Sequence, residues 1–200
     1  MILKSQSTIL STSYFPPIKY FQCFANYSSI YIEHREHYKR HTIRNRTLIL
    51  GPNGVLLLTV PVRKKQSSKT LIKNIRISDN NWKKTHINSI KSAYGSAPFF
   101  IYYFEKIEQI INKNNTFLID LNNDILEYFL NELNIKKKIK TPDLYIKKYP
   151  NNFLDQREKI NTHNDLKKYQ QVFGEKFIPN LSIIDLIFNL GPNAYEYIYV

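Results

Sequence analysis

The first 35 residues show a pattern of apolar and polar positions that predicts a strand, a helix and a second strand. Residues 7–13 form a short strand-like run, and residues 16–27 join two prolines, which suit a first helical turn, to a mostly apolar body. Residues 29–34 are rich in β-branched and aromatic side chains, which is typical of a strand. This βαβ-like opening predicts an α/β fold, with a mixed α+β arrangement as the alternative.

A β-hairpin is the clearest local structure that the sequence predicts. In residues 47–62, two apolar runs flank the sequence GPNG at 51–54, and Asn-Gly is a strong hairpin signal because both residues tolerate positive φ. The polar residues 63–70 predict a solvated loop. The alternation in residues 71–77 predicts a further strand.

Helical periodicity dominates the rest of the chain. Helices are predicted at residues 80–95, 98–111, 116–135 and about 182–190. The first of them has its larger side chains at spacings of three and four, and Gly95 follows as a C-cap.

A polar, aperiodic segment separates the third of these helices from the fourth. Residues 136–166 are expected to form a long segment, ordered or mobile, with a short strand near residues 137–141. The terminal YEYIY at residues 195–199 alternates like an edge strand. The sequence has no internal repeat, and a single domain is predicted for residues 1–200.

The distribution of charge suggests possible partners, but only one part of it is informative. A net charge of +13 is typical of proteins that bind nucleic acid or an anionic surface. However, lysine supplies 22 of the 29 cationic residues and is spread along a chain that is also rich in Ile, Asn and Tyr, as biased base composition would produce. Four of the seven arginines, in contrast, lie within residues 35–46. The arginine cluster is therefore the more informative signal.

Cysteine content and hydropathy indicate a location. The lone Cys23 cannot form an internal disulfide, which favours a reducing compartment, and its apolar surroundings favour an inert role in the core. The N-terminal residues lack the continuous apolar stretch of a signal peptide, and no run has the length that spans a bilayer. A cytoplasmic protein is expected.

The stretch HREHYKRHTIRNR, residues 34–46, is the strongest candidate for chemistry. His34, His37 and His41 have the spacing of metal ligands on a helix, but the neighbouring cations would repel a divalent ion, so no metal is expected. A patch that binds nucleic acid and a solvated loop paired with nearby acids are two further interpretations.

An anion clamp is the more specific interpretation of this stretch. Arg44, Asn45 and Arg46 directly precede the predicted hairpin. An arginine side chain binds phosphate or carboxylate oxygens through two parallel hydrogen bonds. His37 and His41 would then donate or accept protons near neutral pH.

Three further positions place polar side chains on apolar elements. Trp82 and His86 share a helix face, where a role in the core and a role in a site are both open. Glu33, at a strand end, is a candidate base, a partner for a ribose hydroxyl or the ion-pair partner of a nearby arginine. Asp185 lies in an apolar helix, so it is either the structural partner of an arginine or an active-site acid.

Five motifs follow one another along most of the chain. They are LSTSYFPPIKYF (10–21), YIEHREHYKRHTIRNR (31–46), GPNGVLLLTVPV (51–62), NWKKTHINSIKSAYGSAPFF (81–100) and YQQVFGEKFIPNLSIIDLIFNLGP (169–192). In their order and nearly full-length coverage they resemble the WbqC-like protein family. The polar motif positions that match are Tyr14, Pro16, Glu33, Asn45, Arg46, Trp82, His86, Tyr94, Asn180, Ser182 and Asp185.

The resemblance implies a transferase that acts on an activated sugar or on an acyl or aminoacyl donor in surface-polysaccharide biosynthesis. We expect His86 to act as general base, with Asp185 or Glu33 orienting it. The residues expected to bind substrate are Arg44, Asn45, Arg46, Tyr14 and Trp82. The expected ligand is an anionic small molecule, a nucleotide sugar or an acyl donor, and no cofactor is expected.

The chain departs from the family's pattern at two places. Ser11, Thr12 and Ser13 stand where many members have Gln-Pro, and Leu190 stands where many have an acid. Loss of that acid favours one alternative, a family member that has lost its activity and serves as an interaction partner. The other alternative is a non-catalytic protein that binds nucleic acid or another anionic partner. The oligomeric state stays open.

Overall fold

Strands predominate in the first 60 residues of the chain, and helices predominate after them. The computed structural model describes residues 4–63, 67, 69–79, 81–160 and 166–199. In chain order the elements are β1 (Lys4–Ser11), α1 (Ile18–Asn26), β2 (Tyr27–Glu33), β3 (Arg46–Gly51), β4 (Gly54–Thr59), α2 (Trp82–Tyr94), α3 (Phe100–Asn112), α4 (Leu118–Glu132), β5 (Ile139–Lys140), β6 (Phe153–Asp155), α5 (Ile183–Leu190) and α6 (Ala194–Ile198). The expected α/β class is confirmed.

Four of the strands form a parallel sheet in the order β5-β2-β1-β6. Helix α1 connects β1 to β2, which confirms the strand–helix–strand opening. The chain runs outward from β1 through β2 to β5 and later adds β6 on the opposite side of β1. The register places Ser11 beside Glu33 and Ile9 beside Asp155, so polar residues gather at the carboxyl ends of the strands, where the order reverses.

The predicted hairpin is confirmed as a separate two-stranded sheet. Strands β3 and β4 pair antiparallel, and Gly54 in the turn has a φ of 107°. Leu48 and Leu57 are cross-strand partners, and both are more than 40% exposed. The side chain of Ile49, next along β3, is fully buried. The hairpin therefore turns one side of β3 to the core and leaves a leucine pair at the surface.

One continuous hydrophobic core joins the sheet, the helices and the inner side of β3. Helix α1 buries Ile18, Phe21 and Phe24, which explains its apolar composition. Helix α5 is apolar on nearly all sides, as expected for a helix enclosed by other elements. It begins where the Ser182 hydroxyl accepts a hydrogen bond from the Ile184 N–H at 3.4 Å.

Two predicted strands are wrong. Residues 71–77 form a 3-10 turn at Ile72–Asn74, flanked by single bridges, because the backbone N–H of Ile75 bonds back to Ile72 instead of to a neighbouring strand. The terminal YEYIY is also not a strand, since its first four residues lie in helix α6, whose buried residues Ala194, Tyr197 and Ile198 have the helical spacing of three and four.

The remaining predictions concern the ends of elements and the polar segments. The helices predicted around α2, α3, α4 and α5 are confirmed, and the short strand near 137–141 is β5. Gly95 does follow α2, but its φ of −57° is right-handed, so glycine is not needed there for a positive φ. Residues 64–66 and 68 of the predicted loop and 161–165 of the polar segment lie outside the described residues.

Replacing Gly191 with alanine should destabilise the fold. Gly191 follows α5 with a φ of 54°, and a Cβ there would overlap the ring of Phe99. We expect Gly191→Ala to lower the free energy of unfolding by more than about 1 kcal/mol in a urea titration. Gly51→Ala is the matched control, since the nearest atom lies 3.7 Å from the position of its Cβ. Equal effects of the two substitutions would contradict this account.

Candidate functional site

Tyr14 and His86 form a hydrogen-bonded pair inside the core. The Tyr14 hydroxyl lies 2.8 Å from His86 Nδ1, and the Trp82 ring meets the imidazole edge-on at 5.0 Å. Tyr14 is fully buried and His86 is 3% exposed. Burial lowers the pKa of His86 to about 4, against a hydrogen bond with the Thr59 backbone that raises it. His86 is therefore neutral at pH 7 and enclosed by protein.

The Tyr14–His86 pair holds a loop that reaches a surface cleft. Tyr14 is followed by Phe15, whose carbonyl accepts hydrogen bonds from the Thr47 hydroxyl at 2.8 Å and the Ser182 hydroxyl at 3.2 Å. These two hydroxyls belong to β3 and to the cap of α5. His86 thus stabilises, through Tyr14, the loop whose Phe15 carbonyl is hydrogen-bonded to both of these elements.

Asp185 lies in a second buried network. Tyr94 and Gln171 each donate to its carboxylate at 3.0 Å, and the Tyr169 hydroxyl donates as well. Burial raises the pKa of Asp185, and these three hydrogen bonds oppose that rise. The Tyr94 hydroxyl also accepts the N–H of Leu50 at 3.2 Å, so the network ties β3 to α5. None of the described arginines pairs with Asp185.

Glu33 lies at the carboxyl ends of the parallel strands. Its Oε1 accepts the Arg35 N–H at 2.8 Å, whereas Oε2 has no hydrogen-bond partner among the described residues and lies 3.6 Å from Arg157 Nη1. Burial raises the pKa of Glu33, against the Arg35 hydrogen bond and the charge of Arg157. Arg157 is itself bonded to Asp155, with 3.0 Å between Nε and Oδ1. The neighbouring Ser11 hydroxyl also has no hydrogen-bond partner within the described part of the chain.

Arg44 is engaged in ion pairs inside the protein. Its Nε and Nη2 each donate to Glu36 at 2.7 Å, Nη2 also donates to Glu158 at 2.9 Å, and Nη1 donates to the Thr42 hydroxyl. Burial alone would lower the pKa of Arg44, but the hydrogen bonds and charges of Glu36 and Glu158 outweigh it and raise the pKa. The side chain of Asn45 is also turned inward. Neither residue is open to a ligand.

Arg46 lies in a surface cleft between the hairpin and the N-terminus of α5. The cleft has a volume of about 150 Å³ and is lined by Pro17, His41, Ile43, Arg46, Thr47, Leu48, Leu57, Asn180 and Ser182. Arg46 Nη2 is hydrogen-bonded to His41 Nδ1, and Arg46 Nε has no hydrogen-bond partner in the part of the chain that the structure describes. We name this the Arg46 cleft.

Backbone strain marks the same cleft. His41 has a φ of 61° and Asn180 a φ of 54°, and they are two of the four described non-glycine residues with positive φ. Such conformations persist only where the surroundings impose them, and they concentrate at functional sites. Asn180 is fixed by hydrogen bonds to the Ile160 carbonyl and from the Lys19 N–H.

The structure divides the predicted site residues among separate places. Arg46 and His41 meet in the cleft, together with Asn180 and Ser182 from the last motif. The remaining candidates form buried groups, namely Tyr14 with Trp82 and His86, Asp185 alone among tyrosines and an amide, Glu33 beside Arg157, and Arg44 with Asn45. No single pocket lined by Arg46, His86 and Asp185 is found within the described residues.

Several partners in these groups were missed at the sequence level. Arg157 and Glu158 come from the polar, aperiodic segment, where no periodicity singles out one side chain. Tyr169 and Gln171 open the fifth motif, but they are not among its polar positions that match the family. The apolar wall made by Leu48 and Leu57 was part of the predicted hairpin, but its exposure follows only from how the hairpin docks.

Other surface features carry less chemistry. A larger groove of about 870 Å³ between α3 and α4 is lined by long charged side chains and contains none of the predicted site residues. Among the described residues, no group of three His, Cys, Asp or Glu side chains is placed to hold a metal ion. In the same residues, no helix is both long enough and apolar enough to cross a membrane.

Comparisons with known proteins identify the family of this chain. A model of the WbqC-like protein family matches residues 12–152 and 150–197, so the chain belongs to that family. The uncharacterized protein Rv1507c of Mycobacterium tuberculosis is 24% identical over 222 aligned positions, which cover 95% of this chain and 96% of that protein. A comparison with solved structures found no match.

The buried His86 should make stability depend on pH. Unfolded His86 takes up a proton near its ordinary pKa of 6.5, whereas folded His86 stays neutral down to about 4. The unfolded state binds more protons in this window, so the free energy of unfolding should fall as pH drops from 6.5 to 4, by up to about 1.4 kcal/mol per pH unit. His86→Gln should flatten this slope in urea titrations, and exposed His37→Gln should not. Equal slopes in all three proteins would contradict the assignment.

The buried Arg44 should be costly to remove. Arg44→Ala leaves Glu36 buried without its cation, and we expect a loss of about 3–5 kcal/mol in the free energy of unfolding. Exposed Arg40→Ala, in the same stretch, should change it by less than about 0.5 kcal/mol. Adding Glu36→Gln to Arg44→Ala should recover part of the loss. A loss no greater than that of Arg40→Ala would refute the ion-pair account.

Proposed function

We propose that this protein is a transferase that acts on an activated sugar or on an acyl or aminoacyl donor in surface-polysaccharide biosynthesis, and that Arg46 binds the anionic group of one substrate. One observation carries the proposal. Arg46 lines a cleft with an unpartnered Nε, as far as the described residues extend, beside Asn180 and Ser182. All three residues also carry the family resemblance.

The chemistry of the cleft suits recognition of an anion and of a neighbouring hydrogen-bond acceptor. A guanidinium holds the oxygens of a carboxylate or phosphate in a fixed orientation. His41 is exposed and is hydrogen-bonded to Arg46 through Nδ1. Because a guanidinium only donates, His41 Nδ1 accepts from Arg46 and the proton lies on Nε2, which in this proposal donates a hydrogen bond to an oxygen of the substrate.

His86 and Asp185 are positioning residues in this proposal. His86 acts through Tyr14 on the loop that bonds to Thr47 and Ser182, and Asp185 acts through Tyr94 on β3. Both sets of contacts support the walls of the Arg46 cleft from inside. The role of Glu33 as a base stays a prediction, since it lies at the carboxyl ends of the parallel strands, with Arg157 as its nearest cation.

Two observations favour a non-catalytic binding protein as the second candidate. The net charge of +13 suits nucleic acid or another anionic partner. The separation of Arg46 from His86 and Asp185 suits a family member that has kept a ligand site and lost transfer. Salt distinguishes the two kinds of binding, because binding to nucleic acid weakens steeply with ionic strength and binding in a small cleft weakens only slightly.

Arg46→Ala should weaken binding of the anionic ligand without unfolding the protein. We expect a thermal-shift screen of nucleotide sugars, acyl carriers and aminoacyl donors to give a ligand that raises the melting temperature of the wild type. Loss of a charge-assisted hydrogen bond of about 1.5–3 kcal/mol should weaken its binding by about 10- to 150-fold in Arg46→Ala. Arg40→Ala, which removes an exposed arginine, should bind as the wild type does. If Arg46→Ala bound the ligand as tightly as the wild type does, Arg46 would not be the anion-binding residue.

A further inference from the structure

The volume of the Arg46 cleft limits what enters it. Pockets that enclose drug-sized ligands measure roughly 300–1,000 Å³, and a cavity of roughly 150 Å³ in another protein encloses one benzene molecule. The cleft, at about 150 Å³, therefore holds about six or seven non-hydrogen atoms. A nucleoside diphosphate is far larger, so most of it would lie outside.

The N-terminus of α5 offers no free amide to a phosphate. Helix N-termini bind phosphates through backbone N–H groups that have no partner in the protein. Here the four amides of residues 182–185 all donate within the chain. Ser182 donates to the Leu48 carbonyl and Ile183 to the Pro16 carbonyl, both at 2.9 Å. The next two donate to the hydroxyl and the carbonyl of Ser182, at 3.4 and 3.0 Å.

The polar side chains of the cleft are also occupied. The Thr47 and Ser182 hydroxyls both donate to the Phe15 carbonyl. The amide nitrogen of Asn180 donates to the Ile160 carbonyl at 3.0 Å. A ligand therefore meets few donors on this wall.

Arg46 supplies the cleft's guanidinium, and apolar groups supply much of the rest. Within the described residues, no lysine and no second arginine lines the cleft. Leu48 and Leu57 form one wall, and Pro17 and Ile43 contribute to the lining. One positive charge matches a monoanion better than a diphosphate, and the apolar wall favours a ligand with a short hydrocarbon part.

From these four observations we infer that the Arg46 cleft binds a small carboxylic acid, with its carboxylate on Arg46 and a short branched or linear hydrocarbon chain against Leu48 and Leu57. The inference rests on the proposed function, in which Arg46 binds an anionic group. An activated acyl donor has its carboxyl group in an ester or thioester. A free carboxylate in this cleft therefore belongs to the acceptor of the transfer.

Isothermal titration calorimetry with three probes tests this inference. The probes are isovalerate, inorganic phosphate and UDP, each titrated at the same ionic strength into the folded full-length chain. We expect isovalerate to bind with a Kd on the order of 1 mM, and phosphate and UDP to bind at least about tenfold more weakly. Arg46→Ala should weaken isovalerate binding at least about tenfold.

A matched pair of substitutions tests the apolar wall. Leu57→Trp fills the cleft and should weaken isovalerate binding by at least about tenfold. Leu56→Trp is the control, because Leu56 is similarly exposed but lines a different groove on the hairpin. Circular dichroism and melting temperatures verify that each variant is folded.

The outcomes separate the inference from the proposed function. If phosphate or UDP binds more tightly than isovalerate and Arg46→Ala loses that binding, the cleft does not select a carboxylic acid. The role of Arg46 as an anion-binding residue would then still hold. Isovalerate binding that survives Arg46→Ala or Leu57→Trp overturns the inference as well. If none of the probes binds to the folded wild type, the inference fails, and the screen with larger donors decides whether the clamp fails with it.

Discussion

The buried guanidinium of Arg44 is the interaction on which the placement of the cleft depends. It joins Glu36, before the hairpin, to Glu158, after β6. Its own backbone carbonyl accepts a hydrogen bond from Asn122 of α4 at 2.9 Å. A buried charge is tolerated only while its partners stay in place, so these three segments are fixed to one another. Two residues later the chain enters β3 at Arg46, whose position at the surface follows from that anchor.

The cleft is thus a surface feature supported by polar groups that never reach the surface. A tyrosine–histidine pair holds the loop at Phe15, and a carboxylate surrounded by tyrosines and an amide holds α5 against β3. Both groups are costly to bury unless all their polar atoms are hydrogen-bonded, so they fix the relative positions of the elements that they join. In the proposed function, polar residues far apart in sequence thus support one cleft, and Arg46 and His41 are the residues proposed for chemistry that line it.

The sequence predicted what depends on local pattern. The hairpin follows from Asn-Gly between two apolar runs, and the helices follow from apolar spacings of three and four. The strand predicted at residues 71–77 failed because, among the described residues, its neighbours pair with it only through single bridges, and the Ile75 N–H bonds back to Ile72. The family resemblance identified Asp185 and Arg46 as site residues alike. Asp185 is surrounded by Tyr169 and Gln171, and Arg46 follows Arg44, which Glu158 anchors. Only tertiary packing determines the positions of these partners.

The hairpin carries the leucine pair of the cleft on a sheet of its own, apart from the parallel sheet and its core. Because Leu48 and Leu57 are more than 40% exposed, exchanging them removes little buried apolar surface. The shape of this wall can therefore change by substitution while the anchoring ion pairs and buried tyrosines of this chain stay in place. In the proposed function, ligand preference and folding stability therefore depend on different residues, so that substitutions in a single hairpin would change the ligand without unfolding the scaffold.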